Sequence, residues 1–186
     1  MYRTWEVCKE VVGVIVRPVV RRSKLRELGV SGAKFGTAGV PVPVGATVQI
    51  PSDKHIKATV TFENTGSQSV SGNFMFYVFY ADTLSNSTGD PESDWNTWDS
   101  ECDVSDSSSS VTLTLDPGSS ESLEGLNPPA ANTWTEGTKI DAGVVLLVGI
   151  GGEIHFLDSL KIADAVEIVA PTLRVEITDV TFSETE

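Results

Sequence analysis

Residues 56–62 alternate without a break: Ile56, Ala58, Val60 and Phe62 are apolar, and Lys57, Thr59 and Thr61 between them are polar. A β-strand has a side-chain period of two, so this stretch buries one face and wets the other when it is extended. The next apolar run, Phe74 to Tyr80, is apolar on both parities. That predicts a central strand covered on both sides, with Phe74, Phe76, Val78 and Tyr80 on one face and Met75, Tyr77 and Phe79 on the other. The intervening stretch rich in Asn, Gly and Ser reads as the turn of a hairpin.

The same pattern recurs downstream. Val111, Leu113 and Leu115 alternate with threonines and are followed by the turn sequence DPGSS. Val144–Ile150, Ile154–Leu157, Val166–Val169 and the alternating Leu173, Val175 and Ile177 continue the series. GIGGE, residues 149–153, lacks the third glycine of a dinucleotide loop and the GK[ST] of a phosphate loop, and reads as a hairpin turn. Only DSLKIADAV suggests a helical turn. Seven or eight short strands separated by turn residues predict an all-β fold, an antiparallel β-sandwich. A chain of 186 residues can bury such a core without disulfides. Cys8 and Cys102 show no metal-site spacing and read as two thiols, with one disulfide between them as the alternative.

The first 51 residues differ. Trp5, Cys8, Val11, Val12 and Ile15 recur at spacings of three and four, as one face of a helix would, but Val11–Val20 is also β-branched enough for a strand. RRSKLRELG reads as a short helix that Gly29 terminates, and residues 31–51, dense in Gly and Pro, as an extended linker into an edge strand. The expected organisation is an N-terminal helical or extended arm and linker, 1–51, and a β-sandwich domain, 52–186, with an acidic loop at 81–110. No secretory leader or membrane-spanning run is read from the sequence.

Charge divides along the same boundary. The formal net charge is −13, yet residues 1–34 hold eight Lys and Arg against three Glu. Between Lys57 and Lys139 there are 13 Asp and Glu with no Lys or Arg. An acidic body repels nucleic acid, whereas a basic arm suits the acidic face of a neighbouring copy.

VTFENTGSQSVSGNFMFYVFY followed by VTLTLDPGSSESL resembles immunoglobulin-like modules of the CARDB kind, in which one strand ends in Asn-x-Gly and a later one in a Pro-Gly turn. The resemblance covers roughly residues 56–182. It implies an immunoglobulin-like sandwich and, by the habit of such modules, adhesion or extracellular binding.

Residues 81–110 carry eight carboxylates. Asp90, Glu92, Asp94, Asn96, Trp98 and Glu101 fall at positions 1, 3, 5, 7, 9 and 12 of a calcium-loop register, but Trp95 stands where the sharp turn needs Gly. These are weak calcium candidates, and no cofactor is expected. Trp95 and Trp98 are costly to leave in water, which marks them as partner contacts unless they fold back on the sandwich. With Trp134 they could line a sugar-binding face. His55 and His155 sit near predicted strand ends, outside any nucleophile motif. The expected function is therefore a non-catalytic assembly subunit, a capsid- or tail-associated virion protein made in the cytoplasm. Its partners are copies of itself or other subunits, engaged through Trp5, Arg17, Arg21, Arg22, Arg26, Trp95 and Trp98. The alternative is a cell-surface adhesion or carbohydrate-binding module.

Overall fold

The structure, a computed structural model, describes residues 28–36, as a backbone path, and residues 47–171. Among these residues the elements run β1 (Leu28–Gly36), β2 (Val48–Pro51), β3 (Lys57–Asn64), β4 (Val70–Ala81), α1 (Pro91–Glu101), β5 (Val104–Ser107), β6 (Val111–Leu115), β7 (Ser120–Glu124), β8 (Lys139–Ile150) and β9 (Glu153–Val169). The fold is all-β. One sheet has the order β1-β3-β7 and the other β2-β9-β8-β4-β5, with β6 pairing the first half of β4 and β5 the second. Every pair is antiparallel except β2 with β9, which is parallel, so the expectation of a wholly antiparallel arrangement is corrected at that edge.

The two-residue period predicted for β3 and the double-sided burial predicted for β4 are both present. Ala58, Val60, Phe76, Val78, Tyr80, Ile140, Ala142, Val144, Val166 and Ile168 form one buried cluster between the sheets. Phe62, Phe74, Leu115, Leu146 and Val148 extend it. On the outer face of β4 and β8, Phe79, Val145 and Leu147 are buried beneath α1. Each large apolar side chain so buried contributes about 1.5–3 kcal/mol.

The expected hairpin between β3 and β4 does not form. β3 pairs with β1 and β7, β4 with β5, β6 and β8, so the link crosses from one sheet to the other. Phe62 and Phe74 consequently stack face to face across the core, ring centroids 5.3 Å apart. The link from β6 to β7 makes the same crossing. Asn64, 1% exposed, ties the two crossings together. Its Nδ2 donates to the carbonyls of Gln68 (2.8 Å) and Leu115 (2.9 Å), and its Oδ1 accepts from Gly66 N (3.0 Å). The Asn-x-Gly sequence thus acts through its side chain rather than through positive φ, which here belongs to Gly118 (φ 75°) in the β6–β7 turn.

Three further expectations change. Leu28 and Gly29, expected to close a helix, open β1 and pair with Asn64 and Glu63. The stretch expected as a linker into an edge strand does end in one, β2 at the edge of the six-stranded sheet, but its first part belongs to β1 of the other sheet rather than to a linker. DSLKIADAV lies inside β9, a 17-residue strand interrupted by two register shifts, one opposite Leu146 and Leu147 and one opposite Ile140 and Ala142, where Asp164 takes a positive φ of 49°. The GIGGE turn joins β8 to β9 as expected, with Gly151 (φ 62°) and Gly152 (φ 87°) both in the left-handed region that such a tight turn requires.

Candidate partner-binding face

The acidic stretch 81–110 is not a loop throughout: its middle is α1. Asp90 caps the helix, its carboxylate accepting from Glu92 N, and Pro91 begins it, where a missing N–H costs nothing. Spacings of three and four then sort the side chains. Asp94 and Trp98 face the sheet and are buried, whereas Glu92, Trp95 and Asp99 share a stripe that stays at least partly accessible.

The buried side is held by specific contacts. Trp98 lies flat against Gly143 of β8; a Cβ built on that glycine would stand 2.6 Å from Trp98 Cε3. Trp98 Nε1 donates to Ser85 O at 2.8 Å. Asp94 accepts four hydrogen bonds: from Ser87 Oγ and Ser159 Oγ at 2.5 Å, and from Thr88 N and Thr88 Oγ1 at 2.7 Å. Burial pushes this carboxyl up, but the donors outweigh burial and hold it below the ordinary range. Nearby, Lys161 pairs with Asp141 at 2.9 Å and also donates to Leu84 O. Asp141 further accepts from Leu84 N and Asp164 N, each at 3.0 Å. Again burial acts upward, and the donors together with the Lys161 charge bring the carboxyl down.

The accessible side is aromatic. Trp95 meets Tyr77 edge-on at 4.4 Å between centroids, Phe79 at 5.1 Å and Phe156 at 5.7 Å. Met75, Tyr77, Trp95, Ile154 and Phe156 are half-buried neighbours around Leu147 and make a continuous apolar surface on the outside of the six-stranded sheet. Glu92 and Asp99 flank it, and α1 has no basic residue in its last turn. Such a surface favours cationic groups through ring faces, carboxylates and the negative end of the helix.

The sequence-predicted residues are only partly brought together. Trp5, Arg17, Arg21, Arg22, Arg26 and Cys8 lie outside the described residues. Trp98, expected as a partner contact, is fully buried and belongs to the core. Trp134 packs on the opposite, inner side of the six-stranded sheet, 6.5 Å from Tyr80, so the three tryptophans do not share a sugar-binding face. The calcium-loop register is not formed, because residues 91–101 are helical. Asp90 is spent as a cap, Asp94 on its four donors, and Glu101 on the backbone N–H and hydroxyl of Ser85. Among the described residues no three His, Cys, Asp or Glu converge as a metal site would require. His55 forms an isolated bridge with Ala130, while His155 sits within β9 with Nε2 buried, rather than at an open strand end. Phe156 completes the aromatic face and carries no mark in its local sequence, whereas Tyr77 is legible as an outward residue of β4. Phe79 was visible as an outward residue of β4, but nothing local reveals which ring lies against which.

One buried carboxyl lies elsewhere. Asp106 of β5 accepts from Ser107 N at 2.7 Å and Asn127 N at 2.8 Å through Oδ1. Among the described residues Oδ2 has no donor and is seated against Gly125, leaving no room there for a Cβ. Burial raises this carboxyl above the ordinary range, against the backbone donors. Burial first, and the charge of Asp106 second, push the Tyr80 hydroxyl well above its usual value.

These features define an all-β, two-sheet protein with a helix-borne aromatic face. The sequence matches no known protein-family profile and no curated protein. Among solved structures the chain is similar to the C-terminal domain of wzt, at 8% identity and a TM-score of 0.46, covering 85% of this chain and 84% of that one. It is also similar to a part of Bacteroides uniformis β-glucuronidase, at 11% identity and a TM-score of 0.41, covering 73% of this chain but 14% of the enzyme. No helix among the described residues is long and apolar enough to cross a membrane.

Proposed function

We propose that this chain is a non-catalytic assembly subunit, a building block of a virion. On this reading its immunoglobulin-like body forms the outer surface and its basic first residues contact neighbouring copies. The carrying observation is how the body uses its cations. Residues 47–171 contain four Lys and 19 Asp and Glu, with no Arg. Each of those lysines is already committed: Lys54 to Asp53, Lys57 to Glu124, Lys139 to Asp164 and Lys161 to Asp141. The surface left over is acidic. Two such bodies repel one another and nucleic acid alike, and a cationic segment is what brings them together. Residues 1–27, with seven Lys and Arg against three Glu, supply it.

The adhesion or carbohydrate reading loses its main support, since Trp98 and Trp134 are core and the rings around Trp95 meet edge to face rather than as one flat platform. Light scattering of the full chain over a range of salt tests the assembly reading. At low salt the mass is expected to exceed one chain, and to fall towards it as salt rises. Replacing Arg17, Arg21, Arg22 and Arg26 together by Glu is expected to give a monomer throughout. A wild-type monomer at every salt concentration would refute the reading.

A further inference from the structure

We infer that the Trp95 face is the docking site for residues 1–27 of a second copy. The inference rests on the assembly reading and adds the address.

Three observations converge on it. The face is apolar and lies on the outside of the six-stranded sheet, built from Met75, Tyr77, Trp95, Ile154 and Phe156. Its helix is acidic throughout: Glu92 and Asp99 stand one turn to either side of Trp95, and Asp99 adds its charge to the negative end of the helix, where a cation gains from both. The matching occupant must therefore be basic and carry apolar side chains. Residues 1–27 hold seven Lys and Arg against three Glu, interleaved with Trp5, Val11, Val12 and Ile15.

The alternatives fit less well. Another copy's body is acidic and would be repelled. The chain's own segment enters at Leu28, which pairs with Asn64 in the three-stranded sheet, the layer opposite the Trp95 face.

The test uses the full-length chain at low salt and compares association by sedimentation velocity. Glu92→Lys with Asp99→Lys is expected to weaken self-association about tenfold, the scale of losing two rim charges to a cationic partner. Adding Arg21→Glu and Arg22→Glu to the same chain is expected to restore part of it, because the charges are then exchanged across the contact. Should the lysine pair disturb folding, Glu92→Gln with Asp99→Asn gives a smaller loss in the same direction. Association equal to wild type in these variants, while wild type still assembles, overturns the docking site and leaves the assembly reading standing. A change in melting temperature with no change in association also overturns it. A wild-type monomer at all salts removes the reading itself.

Discussion

Asn64 and Asp106 are both buried polar residues, and they act on the fold in opposite ways. The Asn64 amide satisfies two carbonyls and one backbone N–H, so removing it orphans the buried Leu115 carbonyl and takes a partner from two backbone groups in the β3–β4 link. Asn64→Ala is expected to cost about 2–4 kcal/mol, read as a lower urea midpoint with an unchanged slope. Asp106 instead carries an oxygen with no donor, and its folded pKa is raised. For an acid, a raised folded pKa means that the folded state favours the proton. The site is therefore neutral to stability below the unfolded value of 3.8 and increasingly unfavourable as pH rises through the folded value. Asp106→Asn removes that dependence. As pH falls from 7 towards 4, wild type is expected to gain stability relative to the variant, measured as paired thermal melts. Asp94 and Asp141 have the opposite sign: their lowered values stabilise the fold above the ordinary carboxylate range, and that stabilisation is lost on acidification. A constant wild-type-minus-variant gap across pH would show that Asp106 titrates normally.

Among the elements, α1 is the one whose formation owes least to its own pattern. Its apolar content is essentially Trp95 and Trp98, too little for a helical stripe to stand out in a run of Asp, Ser, Asn and Glu. What makes it a helix is the Asp90 cap, Pro91 at its start, and the seat that Gly143 leaves for Trp98 on a distant strand. The last of these is invisible locally, which is why the stretch reads as an acidic loop. The strands are legible for the converse reason: β3 and β6 carry their period of two, and β4 and β8 their apolar runs, in contiguous residues. Which strand pairs with which is not legible, because the crossings between sheets depend on Asn64 reaching the carbonyl of Leu115, 51 residues away. The candidate face divides along the same line, since Trp95 is prominent by its rarity while Tyr77 and Phe156 join it only through sheet register. Gly143→Ala tests the account of α1. A methyl 2.6 Å from the Trp98 ring forces the helix outward, at an expected cost of about 1–3 kcal/mol, with a red shift of tryptophan fluorescence as Trp98 gains water. An unchanged spectrum and melting temperature would mean that the helix is not seated there.

At the scale of the whole molecule, one charge pattern sets two responses to salt that run in opposite directions. Within the body the carboxylates outnumber lysines that are already paired, so its net self-interaction is repulsive and works against the compact state. On the proposed assembly, the strongest force between copies is attraction of the basic first residues to that same surface. Raising salt from about 0.1 M to 1 M shortens the screening length from about 10 Å to about 3 Å and weakens both. The melting temperature of the folded body is therefore expected to rise by a few degrees over this range while the mass in solution falls. Apolar contacts limit the fall, because Trp5, Val11, Val12 and Ile15 are not screened. Measuring both quantities on one set of samples separates the two contributions. Association that persists while the melting temperature rises would place the contact in apolar surface rather than charge. A melting temperature that falls with salt would mean that the four lysine pairs outweigh the repulsion among the remaining carboxylates, and the acidic surface would then no longer explain why the body needs a basic partner.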